Sequence, residues 1–336
     1  MLQNDSHCPS LPPLTETNIS VSIIICTYNR AEFLIKYALS SLLLQKIIPD
    51  SQVEVLVVDN ASTDDTRSQV MDFIKRNSQI PIRYFFEANQ GLSHARNRGI
   101  TKSRGDIIAF LDDDAEATPE WLITIVDAYY RYPDAWAVGG RSIPLCDMPK
   151  PKWFAGRMLG YLGGHDLGQK EQKLIKKYLQ GANMSFRRET FSIIGNFRTD
   201  LGVIGYKRLQ NDEGELFRRM QKDGLSIYYI PEALLFHHQT ERVRSFWGLI
   251  ETRYLGGISD SAVENKYFGR IFICLKSCKM MLNIILSFLL IPINILITNW
   301  AEAYFLFLRS VFSTGYVIGM FQQLVCRRDL LKPDNL

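Results

Sequence analysis

Several absences bound what this chain can do. Six cysteines are scattered through 336 residues with no CxxC pair, and Cys26 lies in an apolar run. That usage fits reduced thiols in a cytosolic protein rather than a disulfide framework or a thiolate metal site. There is no GxxxxGK[ST], HExxH, GxSxG or GxGxxG, so the common phosphate-loop, zinc-protease, serine-hydrolase and dinucleotide signatures are all missing. No concentrated run of basic residues offers the footprint of a duplex-binding protein, and a nucleic-acid partner is not expected. The first 18 residues lack both a basic start and an apolar core. With Pro9, Pro12 and Pro13 among polar neighbours, they read as a disordered tail rather than a secretory leader.

An apolar share of 46% and a charged share of 22% place the chain among ordinary globular proteins. From Val21 onward strands and helices alternate. VSIIIC (21–26), VEVLVV (53–58), IRYFF (82–86) and IIAF (107–110) read as strands. Helical patterns lie at 31–44, 65–76 and 92–102. This rhythm predicts a mainly parallel α/β sheet with helices on both faces, whose ligands bind beyond the carboxyl ends of the strands. Every strand ends in a polar cluster: Thr27-Tyr28-Asn29, Asp59-Asn60, Glu87-Ala88-Asn89 and Asp112-Asp113-Asp114. One site assembled from four strand ends explains that recurrence better than four unrelated turns. Three successive carboxylates repel one another unless a cation is present, and oxygen ligation suits Mg²⁺ or Mn²⁺. Thr118 and Pro119 read as the N-cap and first residue of the next helix.

In order and spacing, VSIIICTYNR, VVDNASTDDT, NQGLSHARNRG and FLDDD resemble the inverting glycosyltransferases of family 2, which have the GT-A fold. GGR (139–141), GANMSFRRE (181–189), NDEGELFRRM (211–220) and IPEALLFHH (230–238) extend the resemblance over about residues 20–260. It implies a nucleotide-sugar donor, most often a UDP-sugar, with a divalent cation bridging its diphosphate. The acceptor would be a glycan or a lipid-linked saccharide in cell-surface glycan or polysaccharide synthesis. Two departures stand out: Cys26 replaces a usual proline, and Asn211-Asp212-Glu213 replaces Gly-Glu-Asp or Gly-Glu-Glu.

Residue roles follow. Tyr28, between Thr27 and Asn29, offers a face for the base. Asp59 offers an acceptor for a uracil imide N–H, or caps the turn after its strand. Arg96 either reaches a phosphate or the base, or belongs to an exposed helix surface. Asp112 and Asp114 form the DxD pair: Asp114 is the expected direct ligand, Asp112 lies near ribose or sugar hydroxyls, and Asp113 is a further nucleotide-sugar-binding candidate. Inversion requires a base for the acceptor hydroxyl. Position in the family motif points to Glu213, with Asp212 the other member of the pair. His237 is a third candidate metal ligand. Gly181 and Asn183 form the expected wall beneath the sugar, Gly181 allowing close approach and Asn183 bonding hydroxyls. Residues 142–180 read as an acceptor loop. This divides the chain into a nucleotide-binding half (19–141), an acceptor half (142–262) and a tail (263–336).

That tail differs in kind. Residues 262–336 hold 8 basic and 4 acidic residues and so carry the whole net charge of +4. Met280–Ala301 is free of charge, and Ala303–Cys326 contains only Arg309. At 1.5 Å per residue each run can cross a hydrocarbon core of about 30 Å. A hairpin turning at Asn299-Trp300-Ala301-Glu302, with both ends on the cytoplasmic face, is one reading. Pro292, Asn283, Asn294 and Arg309 argue for the other, helices lying in the interface. Two further function classes stay open: a non-catalytic nucleotide-sugar or glycan binder, and a sugar nucleotidyltransferase. No Gly-rich, Lys-containing phosphate loop supports the second.

Overall fold

A computed structural model describes residues 19–46, 52–145, 156–204, 207–208, 211–238 and 245–325. The N-terminal tail, part of the expected acceptor loop (146–155) and the closing basic residues after 325 lie outside that set. The chain divides into two compact units. The first comprises residues 1–145, 164–198 and 213–238, and the second 146–163, 199–212 and 239–336.

The first unit is a sheet layered with helices. Its strands are β1 (Ser20–Thr27), β2 (Gln52–Asp59), β3 (Ile82–Phe86), β4 (Ile107–Leu111), β5 (Ala115–Ala117), β6 (Ala135–Leu145), β7 (Gln172–Lys173), β8 (Asn183–Arg187) and, further along, a long strand Ser226–His238. Helix α1 runs over Ala31–Phe33, a π-helical stretch Leu34–Leu39 and Ser40–Leu42. The next helices are α2 (Thr66–Arg76), α3 (Leu92–Lys102), α4 (Trp121–Arg131), α5 (Glu189–Ile194) and α6 (Asp212–Lys222). The second unit contributes a small hairpin, β9 (Val203–Ile204) and β10 (Lys207–Arg208), so the long strand is β11.

Strand order across the sheet is β3-β2-β1-β4-β8-β6-β11-β5, with β7 also on β11. From β3 to β4 all pairs are parallel, as the continuous apolar runs require, because both faces of these strands are covered. Beyond β4 the sheet becomes mixed: β8 runs antiparallel to β4 and β6, and β5 runs antiparallel to β11. Gly139 and Gly140 of β6 are squeezed between backbones. A side chain there would collide with the carbonyls of Asn183 and Ala233 respectively.

Helix α4 starts at Trp121, not at Pro119, and Thr118 does not cap it: its amide and hydroxyl both donate to the Leu234 carbonyl of β11. Trp121 instead anchors the helix from inside the core, wholly buried, with its Nε1–H donated to Asn183 Oδ1 at 2.8 Å.

The second unit is mostly helical: α7 (Phe246–Leu296), interrupted at Gly269, and α8 (Trp300–Leu324). By length and composition both can cross a membrane. The domain boundary expected at residue 262 falls inside α7 rather than in a linker. The turn between the helices comes earlier than expected, at Ile297-Thr298-Asn299. Asn299 caps α8 by accepting the Glu302 amide at 3.3 Å.

Candidate active site

The carboxyl ends of β1, β2 and β4 meet in the first unit, and short polar side chains lock them together. Asn29, at φ 52°, accepts the amides of Thr63 and Asp64 through Oδ1. Asn60 accepts the Gly91 amide and donates to the Asn89 carbonyl. Asp59 is buried, accepts the Ser62 amide at 2.9 Å and receives the Tyr84 hydroxyl at 2.6 Å. It therefore caps its turn. Tyr28 is half-exposed and accepts a hydrogen bond from Gln90 Nε2 at 3.2 Å. The Asn29 side-chain oxygen thus shapes the loop.

The three aspartates point in different directions. Asp113 receives the Thr27 hydroxyl at 2.8 Å and pairs at 2.9 Å with Arg30, the guanidinium that Asp114 also meets. Both oxygens of Asp113, an expected nucleotide-sugar-binding residue, are thus engaged by groups at the end of β1, Thr27 and Arg30. Asp114 is buried between a guanidinium and an imidazole, with Arg30 Nη2 at 2.7 Å from Oδ2 and His237 Nε2 at 2.8 Å from Oδ1. Burial alone would raise its pKa, but His237 and Arg30 outweigh that and hold Asp114 well below the usual carboxylate range. Burial, reinforced by the Asp114 charge, instead pushes Asp113 up to about 7 against the pull of Arg30. The Asp112 side chain is the most open of the three, at 35% exposure. Asp112, Asp114 and His237 each offer one ligand atom, all within 4.8 Å of one another. Two carboxylates and one imidazole make a donor set that fits Mn²⁺ or Mg²⁺.

Arg96 connects this cluster to the base candidate. It is only 3% exposed, so the exposed-helix alternative is excluded. Its guanidinium lies over the rings of Phe110 and Phe197, 3.9 Å from Asp112 on one side and 3.9 Å from Glu213 on the other. Gly181 makes room for it, because a methyl there would come within 2.5 Å of Arg96 Nη2 and 3.3 Å of Glu213 Oε1. Glu213 is partly exposed at the start of α6, whereas Asp212 is 2% exposed and belongs to the second unit.

Asn183 requires a correction. Its amide donates to the carbonyls of Ala233 at 2.7 Å and Arg141 at 3.0 Å, and its oxygen accepts from Trp121. Both amide hydrogens are spent on tying the start of β8 to the backbones of β6 and β11, so it has none to give a sugar.

Arg30 is the site residue that the sequence reading passed over. The available signal was a basic residue directly after Thr-Tyr-Asn in a site otherwise built from carboxylates.

The Glycosyl transferase family 2 profile matches residues 22–194. Among curated proteins, the chain is 29% identical over 258 residues to a glucosyl-dolichyl phosphate glucuronosyltransferase of Haloferax volcanii, covering 74% of this chain and 81% of that one. It is 27% identical to the succinoglycan biosynthesis protein ExoM of Rhizobium meliloti, covering 71% and 73%. Among solved structures it resembles the mannosyltransferase PcManGT of Pyrobaculum calidifontis, in complex with GDP-Man and Mn²⁺. That match has a TM-score of 0.61 at 18% identity and covers 95% of this chain and 90% of the other. GalNAc-T7 with UDP, GalNAc and Mn²⁺ follows at 0.52 and 13%, covering 74% and 50%. The fold is that of the GT-A glycosyltransferases, and by sequence the chain belongs to glycosyl transferase family 2.

Proposed function

We propose that the protein transfers a sugar, with inversion, from a nucleotide-sugar to a hydroxyl of a saccharide or lipid-linked acceptor at the cytoplasmic face of a membrane. The observation that carries this reading is the continuous line Asp114–Asp112–Arg96–Glu213. It sets a divalent-cation donor set and a carboxylate base candidate on opposite sides of one buried guanidinium.

In this reading Tyr28 stacks on the base. Asp59 accepts the imide N–H of uracil with lone pairs left over from its turn contacts, which favours a UDP-sugar. Asp112, Asp114 and His237 hold Mn²⁺ or Mg²⁺, which when bound would supply positive charge to the departing nucleoside diphosphate. Glu213 takes the proton of the acceptor hydroxyl at a carboxylate oxygen. The acceptor oxygen forms its bond to the anomeric carbon as the opposite carbon–oxygen bond to the diphosphate breaks. Arg96 fixes Asp112 and Glu213 relative to each other, so the nucleotide-binding half (19–141) and the acceptor half (142–262) act on one carbon.

The test is release of nucleoside diphosphate from a panel of nucleotide-sugars with and without acceptor. Acceptor-dependent release by the native chain and not by Glu213→Gln is expected. Glu213→Gln should keep its donor affinity while losing about 10²–10⁴-fold in turnover. If Asp212→Asn abolishes transfer and Glu213→Gln does not, the base is assigned to the wrong carboxylate. Donor binding without release in any acceptor mixture would favour a binder instead.

A further inference from the structure

The second unit contains a reversal that its helix boundaries conceal. Lys276 Nζ lies 2.6 and 2.7 Å from the two Glu264 carboxylate oxygens. Twelve residues along a straight helix span about 18 Å, too far for that pair. The chain turns back at Gly269, whose φ of 78° and ψ of 176° are not helical. Helix α7 is therefore two limbs that run in opposite directions.

α8 packs against both. It runs parallel to the first limb: Leu249 clusters with Leu308, Arg253 lies 4.4 Å over the Phe312 ring, and Asn265 bonds Gln323 at 3.0 Å. It runs antiparallel to the second limb: Lys276 lies 4.9 Å over Tyr316, Ser313 contacts Met280 at 3.4 Å, and Arg309 bonds Asn283. A 3-10 helix (Gly156–Leu162) and the chain at Asn211, both of the same unit, cover the first layer. Tyr161 stacks on Phe305, Leu162 joins Leu249 and Leu308, and Asn211 donates to Asp260 at 2.7 Å.

A crossing α8 would carry these neighbours to the same depth. Among them are the first limb's charged Glu251, Asp260 and Lys266, and the short 3-10 helix Gly156–Leu162. Charged side chains are costly at bilayer depth even when they are paired. The second limb is the layer with a bare apolar face. Its buried stripe includes Ser277, Met280 and Ser287, while Ile271, Leu275, Phe288, Leu289 and Leu296 are between 62% and 82% exposed. The polar side of this helix faces protein and the apolar side faces outward, the inverse of a water-facing helix. Arg270 and Lys279, exposed near its start, match anionic headgroups.

We propose that residues 271–296 lie in the plane of a single lipid leaflet, with their outer face in its acyl chains. The first limb and α8 are stacked behind them, and neither apolar helix crosses the bilayer. The leaflet is the cytoplasmic one of the proposed function, while the in-plane placement does not depend on glycosyl transfer.

The experiment is a nitroxide scan of outward positions from Ile271 to Leu296, one cysteine at a time, in the otherwise cysteine-free full-length chain. The protein is reconstituted into phosphatidylcholine–phosphatidylglycerol vesicles, and collision with oxygen is compared with collision with a water-soluble nickel complex. The proposal expects depth to oscillate with the helical period about a constant mean. A single depth maximum near the middle of the limb, falling toward both ends, would establish a spanning helix. Free access of nickel at every outward position would show that this face meets water or protein instead. As a second readout, Ile297→Cys in the turn should resist a membrane-impermeant maleimide added outside intact spheroplasts. Ready labelling there overturns the proposal.

Discussion

Arg30 sets how much negative charge the end of β4 carries before any external cation arrives, since its guanidinium spans Asp113 and Asp114. Arg30→Met should destabilise the metal-free protein yet tighten Mn²⁺ binding. Removing a unit charge about 4 Å away is worth roughly 1–4 kcal/mol at effective dielectrics between water and a protein surface, so the gain should be on the order of tenfold or more. A Mn²⁺ titration by paramagnetic resonance reads it, and unchanged affinity would mean that Arg30 does not oppose the metal. Asp114→Asn should do the reverse and leave donor binding indifferent to Mn²⁺. A different residue governs acid sensitivity. Burial holds His165 down at about 4 from an ordinary 6.5, with Asp166 pulling weakly the other way. The unfolded chain then binds more protons between those values, so this contribution is complete above the upper one and is lost as pH falls toward the lower. His165→Gln should flatten the fall in urea midpoint across that window.

At the scale of elements, close backbone crossings matter most in the second unit. A side chain on Gly257 would meet the Phe312 carbonyl, and one on Gly315 the Tyr254 carbonyl. Gly257→Val should cost about 1–3 kcal/mol through overpacking, measured as a drop in melting temperature in detergent or lipid. The elements themselves were legible to very different degrees. β1, β2 and β4 announced themselves as uninterrupted apolar runs, because strands covered on both faces leave no room for alternation. β5 did not, since three residues carry no periodicity and are fixed only by pairing with β11, more than a hundred positions later. Arg96 was legible as a candidate but not as a buried one: the rings of Phe110 and Phe197 and two carboxylates far from it in sequence help to make its burial tolerable. Asn183 misled for a related reason. An amide beside small residues looks like a ligand donor until the carbonyls that consume it are known. The reversal at Gly269 has no sequence signature beyond one glycine, because a Glu and a Lys twelve positions apart do not look like partners.

On the scale of the whole molecule, ligand and fold are linked by mass action. Mn²⁺ with donor at about 100 times the dissociation constant should stabilise the native state by about 2.7 kcal/mol. Chelation should remove that gain, and a melting temperature unmoved by both would argue against a metal site altogether. The same linkage has a counterpart in time. His237 meets Asp114 across 123 residues of sequence, and at about 5–20 residues per second the ribosome needs roughly 6–25 s to make the intervening chain. Throughout that interval a nascent chain holds three adjacent aspartates without the imidazole that completes the cluster. Arg30, translated long before them, is already available as their counter-ion. A growing chain can therefore close β1 against β4 with its acidic turn neutralised from within, and need not gather stray cations before it has a finished enzyme to put them in.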